Sequence, residues 1–163
     1  MGTSAPKMTP ARQLAGFLAK CSPEVRSVAR AARASLRTRL PGAVEFVYDN
    51  SYALVIGFGP NGRPSDAWFS IVMYPRHASI CFLQGALLDD PARLLQGHGN
   101  QVRHIKLLPD ASVLKRPGVA ALLTQAVKTS DVPWNRRQPR KLIIRAISAK
   151  QRPRRPRSRP ALG

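Results

Sequence analysis

Residues 44–84, VEFVYDNSYALVIGFGPNGRPSDAWFSIVMYPRHASICFLQ, decide the fold. Val44, Phe46 and Tyr48 alternate with Glu45 and Val47, and a period of two marks extended chain. Asp49-Asn50-Ser51, Gly59-Pro60-Asn61-Gly62 and Pro75-Arg76-His77 break the pattern with turn residues. The stretch therefore predicts strands over Val44–Tyr48, Tyr52–Phe58, Ala67–Tyr74 and Ser79–Gln84, joined as hairpins and so antiparallel. Its only charged residues are Glu45, Asp49, Arg63, Asp66 and Arg76. In Phe69–Tyr74 and Ile80–Leu83 both alternating sets are largely apolar. A sheet with one solvated face alternates cleanly, so both faces are expected to be covered, by helices, by a partner or by the walls of a ligand cavity.

Upstream, Thr9-Pro10 and Ser22-Pro23 each pair an N-cap residue with proline at the first helical position. They predict helices to about Lys20 and about Arg39, the second stopping at Leu40-Pro41-Gly42. Leu14, Phe17 and Leu18 give the first an apolar stripe; Val25, Ala29, Ala32 and Leu36 do the same for the second. Arg26, Arg30, Arg33 and Arg37 form a basic stripe roughly 100° away. Downstream, 87–99 reads as an irregular connection and Val102–Leu107 as a fifth strand. Pro117-Gly118 opens a helix to about Lys128. Leu142, Ile143, Ile144 and Ile147 make Lys141–Ser148 a last strand, too apolar for free chain. Residues 1–8 and the Arg/Pro-rich 149–163 are expected to be disordered. What remains, 9–148, is a single α+β domain, an antiparallel sheet of five to six strands with its N- and C-terminal helices on one face.

The net charge is +19, and no acidic residue follows Asp131, whereas eleven basic ones do. A field of that sign attracts polyanions. Cys21 and Cys81 form no close pair, which excludes a disulfide framework and a CxxC metal site and suits a reducing, cytoplasmic setting. No apolar run reaches the roughly 18 residues of a membrane span, and Met1–Lys7 lacks the apolar core of a signal peptide.

Leu40-Pro41-Gly42-Ala43-Val44-Glu45, Ala78-Ser79-Ile80-Cys81-Phe82-Leu83 and Leu94-Leu95-Gln96-Gly97-His98-Gly99-Asn100-Gln101-Val102-Arg103-His104-Ile105 carry a resemblance. Over about 22–130 the chain resembles the YdhG-like family, bacterial domains that include a frataxin-like iron chaperone. The resemblance implies an antiparallel sheet with the terminal helices on one face, as in frataxin, and a non-enzymatic accessory or carrier role. An iron role of that type implies carboxylates clustered on the first helix and neighbouring strand, because hard iron takes oxygen ligands. Here that helix carries Glu24 and then Arg26, Arg30, Arg33, Arg37 and Arg39, and Asn100 stands where family members tend to place lysine.

Candidate chemistry is sparse. Glu45, Tyr48, Tyr52, Trp68 and Tyr74 are the polar-tipped residues that would line a ligand pocket on the sheet, for a small molecule or a protein partner. Gly97 and Gly99 with Arg103 form a candidate anion nest, and Arg26, Arg30, Arg33 and Arg37 a second anion-binding surface. Arg152, Arg154, Arg155, Arg157 and Arg159 are candidate polyanion contacts of the tail, nucleic acid above all. His98, Asp89 and Asp90 lie near one another in sequence, but no metal set is assigned. Neither cysteine has an adjacent base and no Gly-x-Ser-x-Gly elbow occurs, so no catalytic residue and no cofactor is expected.

Overall fold

The computed structural model describes residues 7–156. Helices α1 (Pro10–Ala19) and α2 (Pro23–Arg39) begin where the caps predict: Thr9 Oγ1 accepts from Arg12 N–H and Ser22 Oγ from Val25 N–H. Strands β1 (Val44–Asp49), β2 (Leu54–Gly59), β3 (Phe69–Met73) and β4 (Ala78–Phe82) follow as an antiparallel meander. β5 (Arg103–Lys106) extends it beside β4. A 3-10 turn (Ala111–Lys115), α3 (Pro117–Lys128) and β6 (Lys141–Ile147) complete the order β5-β4-β3-β2-β1-β6.

The sheet is mixed, which corrects the all-antiparallel expectation: β6 pairs with β1 in parallel. The cause lies in how the chain arrives. Gln138 Nε2 donates to the carbonyls of Gly42 (2.7 Å) and Pro60 (2.8 Å), and Arg140 Nη1 to that of Leu40 (3.1 Å). These bonds bring β6 in at the start of β1, so both strands run the same way. Gly42 has φ +74°, and a Cβ there would meet the carbonyl oxygens of Asn135, Gln138 and Arg136 at 2.9–3.0 Å. Only glycine fits that backbone and that approach. A bulge leaves Arg145 unmatched between the Val47–Ile144 and Tyr48–Ala146 pairs, a charged bulge of the kind that blunts an edge strand.

One face of the sheet carries Val47, Leu54, Ile56, Phe58, Phe69, Ile71, Met73 and Ile80, which form a single core with the buried residues of all three helices and the 3-10 turn. On the other face Phe46 is buried by the sheet itself. Its ring lies 3.5 Å from where a Cβ on Gly57 would stand and 3.4 Å from one on Gly59. Two glycines thus make room for one aromatic ring. No helix among the described residues is long and apolar enough to cross a membrane.

The expected boundary at residue 148 falls later. Ser148 N–H donates to Asp49 O and Arg152 N–H to Ser51 O, both extending contact with the β1–β2 turn. Residues 149–156 lie against the domain instead of leaving it. Arg157 and Arg159, like residues 1–6, are outside the described residues.

Candidate functional site

The inward residues of β1 are Glu45, Val47 and Asp49, two acids flanking one apolar residue, and both acids are buried. Each is matched by an arginine from another element. Arg33 Nε donates to Glu45 Oε2 at 2.6 Å and its Nη2 to Oε1 at 3.2 Å, while Arg37 Nε stands 3.4 Å away. Arg154 Nη2 donates to Asp49 Oδ1 at 2.8 Å and also to Asn50 O; Lys20 Nζ is 3.8 Å from Asp49 Oδ2. Arg154 is 6% exposed. A buried charge persists only when paired and hydrogen-bonded, so β1 clamps α2 with one carboxylate and the C-terminal segment with the other.

These clamps overturn two expectations. Glu45 is neither on the open sheet face nor available to a ligand, since two guanidinium groups occupy it. The Arg26–Arg37 stripe is not a uniform basic ridge, because Arg33 and Arg37 share the single negative charge of Glu45, whereas Arg26 and Arg30 have no acidic partner among the described residues. Arg30, Arg33 and Arg37 line a shallow groove against α1, next to Ala11 and Ala15.

The remaining pocket residues scatter. Tyr52 is 63% exposed with the Arg152 guanidinium 4.7 Å over its ring. Tyr74 stacks on His77, centroids 5.0 Å apart, and burial raises its hydroxyl pKa. Tyr48 is half-buried on the face away from the helices. Trp68 is buried and meets Trp134 edge-on at 4.9 Å. None of Glu45, Tyr48, Tyr52 or Tyr74 lines the cleft that Trp68 lines. That cleft, about 500 Å³, runs between the start of β3, the end of β4 and the end of α3.

In the Gly97–Gly99 loop the arginine turns onto the backbone. Arg103 Nη1 donates to the carbonyls of Gly99 and Val102, so the loop presents acceptors to its arginine. Gln96 and His104 exchange both backbone bonds, and Gly97 at φ +125° makes the tight return. The Asp90 carboxylate accepts from Leu94 and Leu95 N–H, a local turn cap, and no three His, Cys, Asp or Glu side chains converge among the described residues. Burial pushes the Cys81 thiol up to about 11, which keeps it protonated and unreactive.

What does assemble is a basic face around the docked C-terminal segment. Arg155 donates from Nε to Lys20 O (3.2 Å) and from Nη2 to Ala19 O (3.0 Å), satisfying carbonyls at the end of α1. A cation at a helix C-terminus also meets the negative end of its dipole. Burial holds the Cys21 thiol above its ordinary pKa, with Arg154, Arg26 and Arg155 opposing it in part. Lys20, Lys150, Arg152 and Arg155 are exposed here. Asp49, the acid among them, is buried and paired. The sequence reading placed Lys150, Arg152 and Arg155 in a free tail, whereas the described residues of that segment are bonded to β1, the β1–β2 turn and the end of α1. The available signal was the charge match between two acids of one parity on β1 and arginines elsewhere.

Compared with known proteins, the chain matches no family model, no curated protein and no solved structure.

Proposed function

We propose that this protein binds polyanions, with nucleic acid as the natural class, through a folded basic face made of Lys20, Arg26, Lys150, Arg152 and Arg155. The observation that carries the reading is the docking of Arg154 on Asp49. It turns a run of cations into a surface of fixed geometry joined to β1 and the end of α1. Fixed cations bind phosphates without first paying the ordering entropy of a free chain. Tyr52, the exposed aromatic of this face, is already covered by Arg152, so base stacking has no platform there and duplex backbone is the better fit. In this reading the protein is a non-enzymatic accessory factor, the role that the YdhG-like resemblance also implies.

Five phosphate contacts give a slope of log affinity against log salt near −4.5, at about −0.9 per contact with duplex DNA. The K150Q/R152Q variant is expected to flatten that slope by about 1.8 while keeping the Arg154 and Arg155 bonds that dock the segment, since both replaced residues are exposed. Equal affinity and equal slope for the two proteins on one duplex would end the proposal.

A further inference from the structure

The cleft beside Trp68 inverts the charge of the molecule. In a chain with 27 basic and 8 acidic residues, its lining holds two carboxylates, Asp66 and Asp131, and no lysine, arginine or histidine. Neither carboxylate makes an ion pair among the described residues. Asp66 Oδ2 accepts from Asn61 Nδ2 at 3.0 Å, which fixes the carboxylate, and Asp131 is exposed. Thr129 and Ser130 bring the C-terminal end of α3 to the same lining, and the dipole at a helix C-terminus favours a cation. Ser65 and Gln84 add neutral polar groups, and the remainder is apolar, with Trp68 and Phe82 buried and Leu88 half-buried. The Trp68 indole N–H is buried without a hydrogen-bond partner among the described residues.

We infer that this cleft is a binding site for a small amphipathic cation, an apolar body ending in a protonated amine. The volume of about 500 Å³ lies within the range of small-molecule sites, which are mostly apolar with a few placed polar groups. The ammonium goes to Asp66, Asp131 and the α3 terminus; the apolar body lies along Trp68, Phe82 and Leu88. Strand register puts the cleft and the basic face at opposite ends of the sheet: Phe58, Phe69 and Phe82 pair at one end, Asp49 and Leu54 at the other. The site is therefore independent of the polyanion reading and stands or falls separately.

Both tryptophans of the chain are here, Trp68 in the lining and Trp134 edge-on against it, so intrinsic fluorescence reports occupancy. Phenylbutylamine, phenylbutanol and phenylbutyrate share one apolar body and differ in charge. Titrated into the full-length protein, the amine is expected to give a saturable change at about millimolar concentration or below, the alcohol a weaker one and the carboxylate none. D131N and D66N should each weaken the amine about threefold, and the double variant should bind amine and alcohol alike. Thermal melts keep the variants interpretable, since Asp131 is exposed and makes no ion pair among the described residues. Amine and alcohol binding equally to the wild type, an absence of saturation with the amine, or an unchanged amine affinity in D66N/D131N would each overturn the inference.

Discussion

Replacing Arg154 by alanine removes the partner of Asp49 and leaves the carboxylate buried. Side-chain exposures in this pair are 4% and 1%, with 2.8 Å between Nη2 and Oδ1. Deleting one member of a buried ion pair costs about 3–5 kcal/mol, because the survivor is desolvated and uncompensated. Lys20 offsets part of that loss: its ammonium is 3.8 Å from Oδ2 and 55% exposed, free to close on the carboxylate. Arg154→Ala is thus expected near the lower end, about 3 kcal/mol. That corresponds to a fall of roughly 6–12 °C in Tm for a chain of this size. Urea unfolding followed by tryptophan fluorescence gives the free energy, and a thermal melt by circular dichroism gives the second value. Asp49→Asn/Arg154→Ala, which removes both charges, should recover a substantial part of the loss. A single variant within about 0.5 kcal/mol of wild type would refute the docking of the C-terminal segment, and with it the fixed basic face. So would a double variant that adds the two losses without any coupling.

Arg33→Met should cost about 2–3 kcal/mol, whereas Arg37→Met should cost below about 1 kcal/mol. Arg33 is the bidentate, better-buried partner of Glu45, and Arg37 is 42% exposed at 3.4 Å; chemical denaturation ranks the two. Gly42→Ala puts a side chain on left-handed backbone and against three carbonyl oxygens. At least about 2 kcal/mol should be lost, with faster hydrogen exchange in β6 showing where the damage falls. Burial first, and then Lys106 and His104, hold the His77 imidazole below its ordinary pKa of 6.5. The unfolded chain therefore takes up a proton that the native state resists, so stability should decline as pH falls through about 6.5. His77→Gln should flatten that part of a Tm-against-pH curve.

The local signals were legible because their causes are local. Thr9, Ser22 and the prolines after them fix two helix starts through bonds that span three residues. The turns at 49–53 and 74–77 fix the hairpins in the same way. What stayed hidden depends on pairs far apart in the chain. Arg154 and Asp49 are separated by 105 positions, and no periodicity links them. The parallel pairing of β6 rests on Gln138 reaching Gly42 across 96 positions. Glu45 was misplaced because both alternating sets of the sheet are apolar, so parity alone did not say which face points inward. Tyr52 and Tyr74 were grouped with Glu45 by residue type, and type carries no information about side of sheet or distance. The acidic lining at Asp66 and Asp131 joins two loops 65 positions apart and is visible only once the segment before β3 and the end of α3 meet at one cleft.

The clamp on Asp49 also sets an order in time. During synthesis at about 5–20 residues per second, roughly 5–20 s separate the appearance of Asp49 from that of Arg154. Once Phe82 has been added, both N-terminal helices and the first four strands have been made, and among the described residues the inward carboxylate of Asp49 has only Lys20 to attend it. The hydrophobic core can gather while its charge balance is still open, and the last stretch of chain closes it. A nascent chain stalled before residue 154 therefore holds Asp49 inside the fold without its guanidinium partner.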